Sequence, residues 1–72
     1  MEILYNSKYD LLYLRIDDRK QSVINKRLTE DIVLDIGEDE RIVGIEILDA
    51  SKHLSLDKLL PVKYKVSTTA LS

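Results

Sequence analysis

The residues of this chain with the most chemical reach are four carboxylates, Asp10, Asp35, Glu46 and Asp49. They fall at expected strand ends or within the most apolar strand. Carboxylates that converge there can hold Mg²⁺ or Mn²⁺, which prefer oxygen ligands. No interval between them matches a metal-binding motif. Asp10 and Asp35 are therefore expected to form turns and Asp49 to cap a helix. Glu46 poses a sharper question, because it sits inside RIVGIEILDAS among aliphatic neighbours. A carboxylate in such company is costly unless it is paired or hydrogen-bonded. Arg15 or Arg41 is the expected cation, and Glu46 then fixes the register of its strand. That role outweighs a catalytic one, since structural ion pairs also perturb acids. Gly44, two residues earlier, permits close approach by a neighbouring chain.

The other candidates are weaker. His53 could act as a general base, yet no nucleophile is fixed beside it in the sequence, and a surface position is expected. Ser51 and Ser55 lack a Gly-x-Ser-x-Gly elbow and suit helix caps. Tyr13 with Lys63, Tyr64 and Lys65 could stack on and hold single-stranded nucleic acid, but tyrosines half-buried on a sheet are commoner. Two widely separated glycines form no phosphate loop. No catalytic residue, cofactor or metal is expected. The alternative is a metal-binding protein or hydrolase built on the clustered carboxylates.

These side chains sit on a chain of 72 residues, read as one small domain. A domain of this size buries only about 60% of its unfolded surface, so its core is marginal and a staple is expected. Disulfides are excluded, because there is no cysteine. A partner surface remains, which points to a homo-oligomer or a complex. The net charge is −2, with twelve acids against seven bases in residues 1–50 and one acid against four bases in residues 51–72. Net acidity argues against nucleic acid, whose phosphates need clustered Lys and Arg. It suits a basic protein partner, steered by the acidic loops Asp17-Asp18 and Glu38-Asp39-Glu40. No apolar run approaches the roughly 20 residues needed to span a bilayer, and MEILYNSKYD does not read as a signal peptide. A soluble cytoplasmic protein is expected.

The elements that position these residues read as strands first and helices last. Ile3-Leu4-Tyr5 is a short strand, followed by an Asn6-Ser7-Lys8 turn. In Tyr9 to Ile16, Leu12, Leu14 and Ile16 share a face. Gln21 to Arg27 is a charged edge strand. In Ile32 to Ile36, alternate residues again share a face. Gly37 is expected to supply the positive φ of the next hairpin loop. Ile42 to Leu48 is the most apolar strand and is expected to be covered on both faces. The period then changes: short helical turns follow Asp49 or Ser51 and follow Ser55, the second stopping before Pro61. Val62 to Val66 alternates as a last strand or an arm for another subunit, and TTALS is expected to fray. The class is α+β, a small antiparallel sheet with one or two short helices near the C-terminus.

Two stretches resemble a known family. YNSKYDLLYLRI looks like the Tyr-Asp-x-x-x-Asp-x-Leu-Tyr-Ile opening of the YuzE-like family, small prokaryotic proteins forming a domain of unknown function. LDIGEDERIVGIEILDAS resembles its second signature, with Gly44, Glu46, Asp49, Ala50 and Ser51 in place and Tyr13 in the first motif. Together they cover most of residues 5–51. Asn6 replaces the usual Asp, and Glu40 replaces the usual Gly. The resemblance implies a compact α+β domain with an antiparallel sheet and no established activity. Members are often encoded beside small toxin-like proteins, which implies an antitoxin-like partner role. The expected function is a non-enzymatic interaction module, with Asp17, Asp18, Glu38, Asp39 and Tyr64 on the partner side.

Overall fold

A computed structural model describes residues 1–59. Five strands, β1 (Glu2–Asn6), β2 (Leu11–Arg15), β3 (Ile24–Arg27), β4 (Ile32–Ile36) and β5 (Ile42–Ile47), precede two one-turn helices, α1 (Ala50–His53) and α2 (Leu56–Leu59). All pairings are antiparallel, in the order β1-β2-β5-β4-β3. The last of the described strands is thus the innermost. It joins the β1–β2 hairpin to the β3–β4 hairpin. The α+β expectation is met, as are the edge position of β3 and the inner position of β5.

Strand alternation creates two different faces. On one, Ile3, Leu14, Ile45 and Leu34 form a cross-strand row, and Leu12, Ile47 and Ile32 form a second. Leu12 is only 1% exposed and centres the core with Ile47 and Ala50. Leu54, Leu56 and Leu59 pack onto that core, so α1 and α2 roof this face. The opposite face carries the rows Leu4, Tyr13, Glu46, Val33, Arg27 and Glu2, Arg15, Gly44, Asp35, Asn25. No described element covers it. The expectation that β5 is covered on both faces is corrected for the described residues: eight residues of helix roof one side only.

The loops also differ from expectation in two places. Gly37 is extended, with φ −94°, while Asp39 and Glu40 adopt the left-handed conformation at 56° and 58°. Gly37 is needed for space instead. A Cβ there would strike Gln21, whose Oε1 accepts the Glu38 N–H at 2.8 Å, and Val43. The β4–β5 register also slips between Asp35 and Ile36, so Val43 bulges opposite their junction. The Val43 carbonyl accepts the N–H groups of Ile16 and Asp17 at 2.8 and 3.0 Å. The bulge therefore anchors the start of the β2–β3 crossover. Val62 to Val66 and Tyr64 lie outside the described residues.

Candidate functional site

The uncovered face of the sheet gathers the densest polar chemistry. Tyr13 (β2) stands opposite Glu46 (β5), which stands opposite Val33 (β4), while Asp35 (β4) stands opposite Gly44 (β5). The Tyr13 ring lies over Gly44, where a Cβ would overlap its hydroxyl, Cζ and Cε1 atoms. Gly44 thus does what its position suggested: it lets a neighbour settle onto the strand. The Arg15 guanidinium lies 5.8 Å from the Tyr13 ring centroid, within cation–π range. Its Nη1 donates to Glu2 Oε1 at 3.0 Å.

Glu46 meets an acid, not the expected arginine. Arg15 is engaged by Glu2, and Arg41 approaches Asp17 at 3.8 Å. The neighbour of Glu46 is Asp35, which is no turn former: it lies within β4 and is 7% exposed. The register explains this correction, because alternation puts Asp35 and Glu46 on one face of adjacent strands. Burial raises the Glu46 pKa, and a hydrogen bond to Asp35 and that group's charge raise it further. The Arg27 charge opposes the rise. Asp35 Oδ1 is sealed from water without a hydrogen-bond partner. Tyr13 feels the same surroundings, its pKa raised by burial and then by Asp35.

Beside this pair opens a recess of about 290 Å³ lined by Leu11, Asn25, Arg27, Val33, Glu46 and Leu48. Arg27 forms part of its wall, and its Nη1 donates to the Glu30 carbonyl. Asn25 and Arg27 escaped the sequence reading. Only the order β5-β4-β3 brings the edge strand's alternate residues level with Asp35 and Val33.

Asp10 and Asp49 belong to a different construction at one end of the sheet. Asp10, left-handed at φ 51°, accepts the Ser51 hydroxyl at 2.6 Å, the Ser51 N–H at 3.1 Å and the Tyr5 hydroxyl at 2.7 Å. Its own carbonyl accepts the Ala50 N–H at 2.9 Å. The Ser51 and Tyr5 hydrogen bonds lower the Asp10 pKa, because they favour its charged form. The hydrogen bond to Asp10 raises the Tyr5 pKa. Asp10 therefore holds the first turn of α1 from a remote hairpin, and Ser51 is its donor. The expected caps are corrected: Asp49 makes no side-chain cap bond and lies 3.7 Å from Lys52. The turn before Asp10 is closed by Asn6, whose Oδ1 accepts the N–H groups of Lys8 and Tyr9 at 3.0 and 3.3 Å. An amide oxygen suffices there, which explains why Asn stands in for Asp.

The four proposed metal carboxylates thus divide between two places, and the described residues contain no group of three or more His, Cys, Asp or Glu able to hold a metal. His53 Nε2 lies 2.9 Å from Asp31 Oδ2. No described hydroxyl hydrogen-bonds to His53, since Ser51 is committed to Asp10. Ser55 caps α2 with its backbone carbonyl, which accepts the Lys58 and Leu59 N–H groups at 3.0 and 3.1 Å. Among the acidic loops, the Asp17 side chain is 14% exposed and clasped by Arg19 at 2.8 Å, which holds its pKa far below the usual carboxylate range. Asp18, Glu38, Asp39 and Glu40 are the exposed acids there.

Among the described residues no helix is long and apolar enough to cross a membrane. A Methanosarcina mazei protein named "Putative hypoxanthine phosphoribosyltransferase" is 54% identical over 37 residues, covering 49% of this chain and 30% of that protein. The chain thus spans under a third of that relative's length. No solved structure matches. The family model described as "Protein of unknown function (DUF2283)" matches residues 2–51, which include both hairpins, the Tyr13–Gly44–Glu46–Asp35 face and the Asp10–Ser51 latch, and the chain belongs to that family.

Proposed function

We propose that the protein is a non-enzymatic interaction module that works as a homo-oligomer and carries a small basic protein, as an antitoxin-like partner does. The supporting observation is the bare face of β5. β5 is the innermost strand, and the described helices roof only one of its faces. Leu4 and Leu48 are exposed, and the adjoining edge strand β3 is exposed throughout, with Ile24 72% accessible. A bare edge and an apolar face offer hydrogen-bonding and hydrophobic contact to another chain. Asp18, Glu38 and Asp39 supply the acidic field that speeds encounter with a basic protein. A cysteine-free chain suits the reducing cytoplasm, where we place it.

The test is the native mass of the protein recovered from its host, followed by association kinetics against salt. The expected result is a multiple of the chain mass bearing a basic second protein. Joint reversal of Asp18→Lys, Glu38→Lys and Asp39→Lys then slows association and flattens its salt dependence. A lone chain at every concentration overturns the reading, and so does unchanged kinetics in the reversed variant. The convergence of Asp35 with Glu46 favours one second reading, a metal-binding protein or hydrolase. Mg²⁺, Mn²⁺ or Ca²⁺ bound by the native state would raise the melting temperature, and no shift at millimolar metal removes that reading. The transferase name of the Methanosarcina protein is not transferred. The recess lies at the bottom of the size range of small-molecule sites, about 300–1,000 Å³.

A further inference from the structure

We infer that the outer edge of β1 is a self-pairing interface. Two copies of this chain join antiparallel through Glu2–Asn6, with Leu4 of one copy facing Leu4 of the other across a two-fold axis. This rests on the homo-oligomer part of the proposed function and names its surface. The backbone carries the argument. β1 and β3 are the two edges of the sheet, and among the described residues no strand pairs the outer side of β1. In an antiparallel ladder, residues that exchange hydrogen bonds with a given neighbour alternate along the strand. The Ile16 N–H donates to the Val43 carbonyl of β5, so Leu14 and Leu12 likewise turn their peptide groups to β5. Leu11, Tyr13 and Arg15 turn theirs to Asn6, Leu4 and Glu2 of β1. The N–H and C=O groups of Ile3 and Tyr5 are left pointing off the edge.

The two edges are not alike. β3 carries Lys26 and Arg27, charges of the kind that blunt an edge against pairing. β1 carries a single charge, Glu2, and Arg15 of the neighbouring strand holds it at 3.0 Å. β1 has no proline, and its register with β2 runs unbroken from Glu2 to Asn6. Leu4 and Tyr5 are 43% and 40% exposed. The strand therefore has the open peptide groups and apolar side chains of a pairing template without the devices that prevent pairing.

The register selects the occupant. Outward-pointing groups of one strand must meet outward-pointing groups of the other. Setting Ile3 against Ile3, or Tyr5 against Tyr5, engages only part of the strand. Setting Ile3 of each copy against Tyr5 of the other engages all of Glu2–Asn6. Charge agrees with that choice. Glu2 then faces the neutral Asn6, and the two Glu2 residues lie roughly 13 Å apart, at about 3.3 Å per residue. No like charges stand opposite one another, and Leu4 meets Leu4 on the uncovered face. Such a contact is isologous and closes as a dimer, whereas β1 of one copy on β3 of the next is head-to-tail. The pairing joins two sheets into one and leaves β3 and the acidic loops open to a basic protein.

The test is site-directed cross-linking of the full chain, which has no cysteine of its own. Opposed residues that exchange no hydrogen bond have Cα atoms about 4.5 Å apart, inside the roughly 4.4–6.8 Å that a disulfide spans. The expected result is a covalent dimer of Leu4→Cys under mild oxidation, with none from Glu2→Cys or from Ile24→Cys on β3 at the same concentration. In the wild type, hydrogen exchange should show the Ile3 and Tyr5 amides becoming protected as concentration rises, while the Leu4 amide, bonded to β2, is protected throughout. Leu4→Lys changes an exposed position, so the circular dichroism spectrum should be kept. Loss of the leucine contact and two like charges face to face should weaken the dimer about tenfold or more. Equal cross-linking by Ile24→Cys or Glu2→Cys overturns the proposal, as does an undiminished dimer in Leu4→Lys. A mass that grows without limit as concentration rises overturns it too. Those outcomes leave the homo-oligomer standing on another surface if the native mass is a multiple of the chain. A lone chain at every concentration, with Ile3 and Tyr5 protected or not, defeats the homo-oligomer itself.

Discussion

Replacing Gly44 with alanine isolates the contact that organises the open face. A methyl at position 44 would overlap the hydroxyl, Cζ and Cε1 atoms of Tyr13. Relieving such an overlap in a packed site costs about 1–3 kcal/mol. Gly44 has no positive φ, so alanine suits its backbone, and stiffening the unfolded chain returns about 0.4–1 kcal/mol. At mid-range values of both, the expected net loss is roughly 1–2 kcal/mol. For a domain of this size that lowers Tm by roughly 4–16 °C, at about 4–8 °C per kcal/mol. In a Tyr13→Leu background the three overlapping atoms are gone, and the same alanine should stabilise by about 0.4–1 kcal/mol. The assay is urea unfolding of the four proteins of this cycle, followed by circular dichroism. The sign reversal is the signature. If Gly44→Ala costs the same in both backgrounds within about 0.5 kcal/mol, the ring does not rest on the glycine and the account of this face is wrong.

Three further outcomes follow from the same coordinates. Leu12→Ala empties the most buried position of the core and should cost about 2–5 kcal/mol in urea unfolding, enough to unfold most of a domain this small. Glu46 has a raised folded pKa, so its contribution is full below the unfolded carboxylate value and lost as pH rises through the folded one. Glu46→Gln should therefore be more stable than the wild type at neutral pH, with the gap closing in acid; a gap independent of pH would contradict the raised Glu46 pKa. Asp10 has a lowered folded pKa, so its contribution is present above the unfolded value and lost as pH falls through the folded one. Asp10→Asn keeps the left-handed turn but should destabilise at neutral pH and converge with the wild type in strong acid, as read from urea midpoints across that range.

Local pattern made much of this molecule legible. Period-two alternation located β2, β4 and β5, because a half-buried sheet writes its two faces directly into the chain, while β1 was legible as a short apolar run. The Leu12, Leu14 face was readable in this way. The helical turns after Asp49 and Ser55 were readable from the change in period. The charges of Lys26 and Arg27 marked β3 as an edge. The errors share one cause: each concerned a side chain whose partner lies far away in sequence. Asp49 looked like the cap of α1, yet the oxygen that does the work comes from Asp10, 41 residues before Ser51. Gly37 looked like a positive-φ residue, yet what it needs is room for Gln21.

Residue types alone determined the class of this protein, its strands and its apolar faces. Those properties are local, set by backbone sterics and by water's exclusion of hydrocarbon. Tertiary structure alone decided which charges meet. Threading β5 between β2 and β4 set Glu46 against Asp35, left Arg15 to Glu2, and aligned Asn25 and Arg27 with the acid pair. Electrostatic energy depends on distance in space, and strand order, which no single segment encodes, sets that distance.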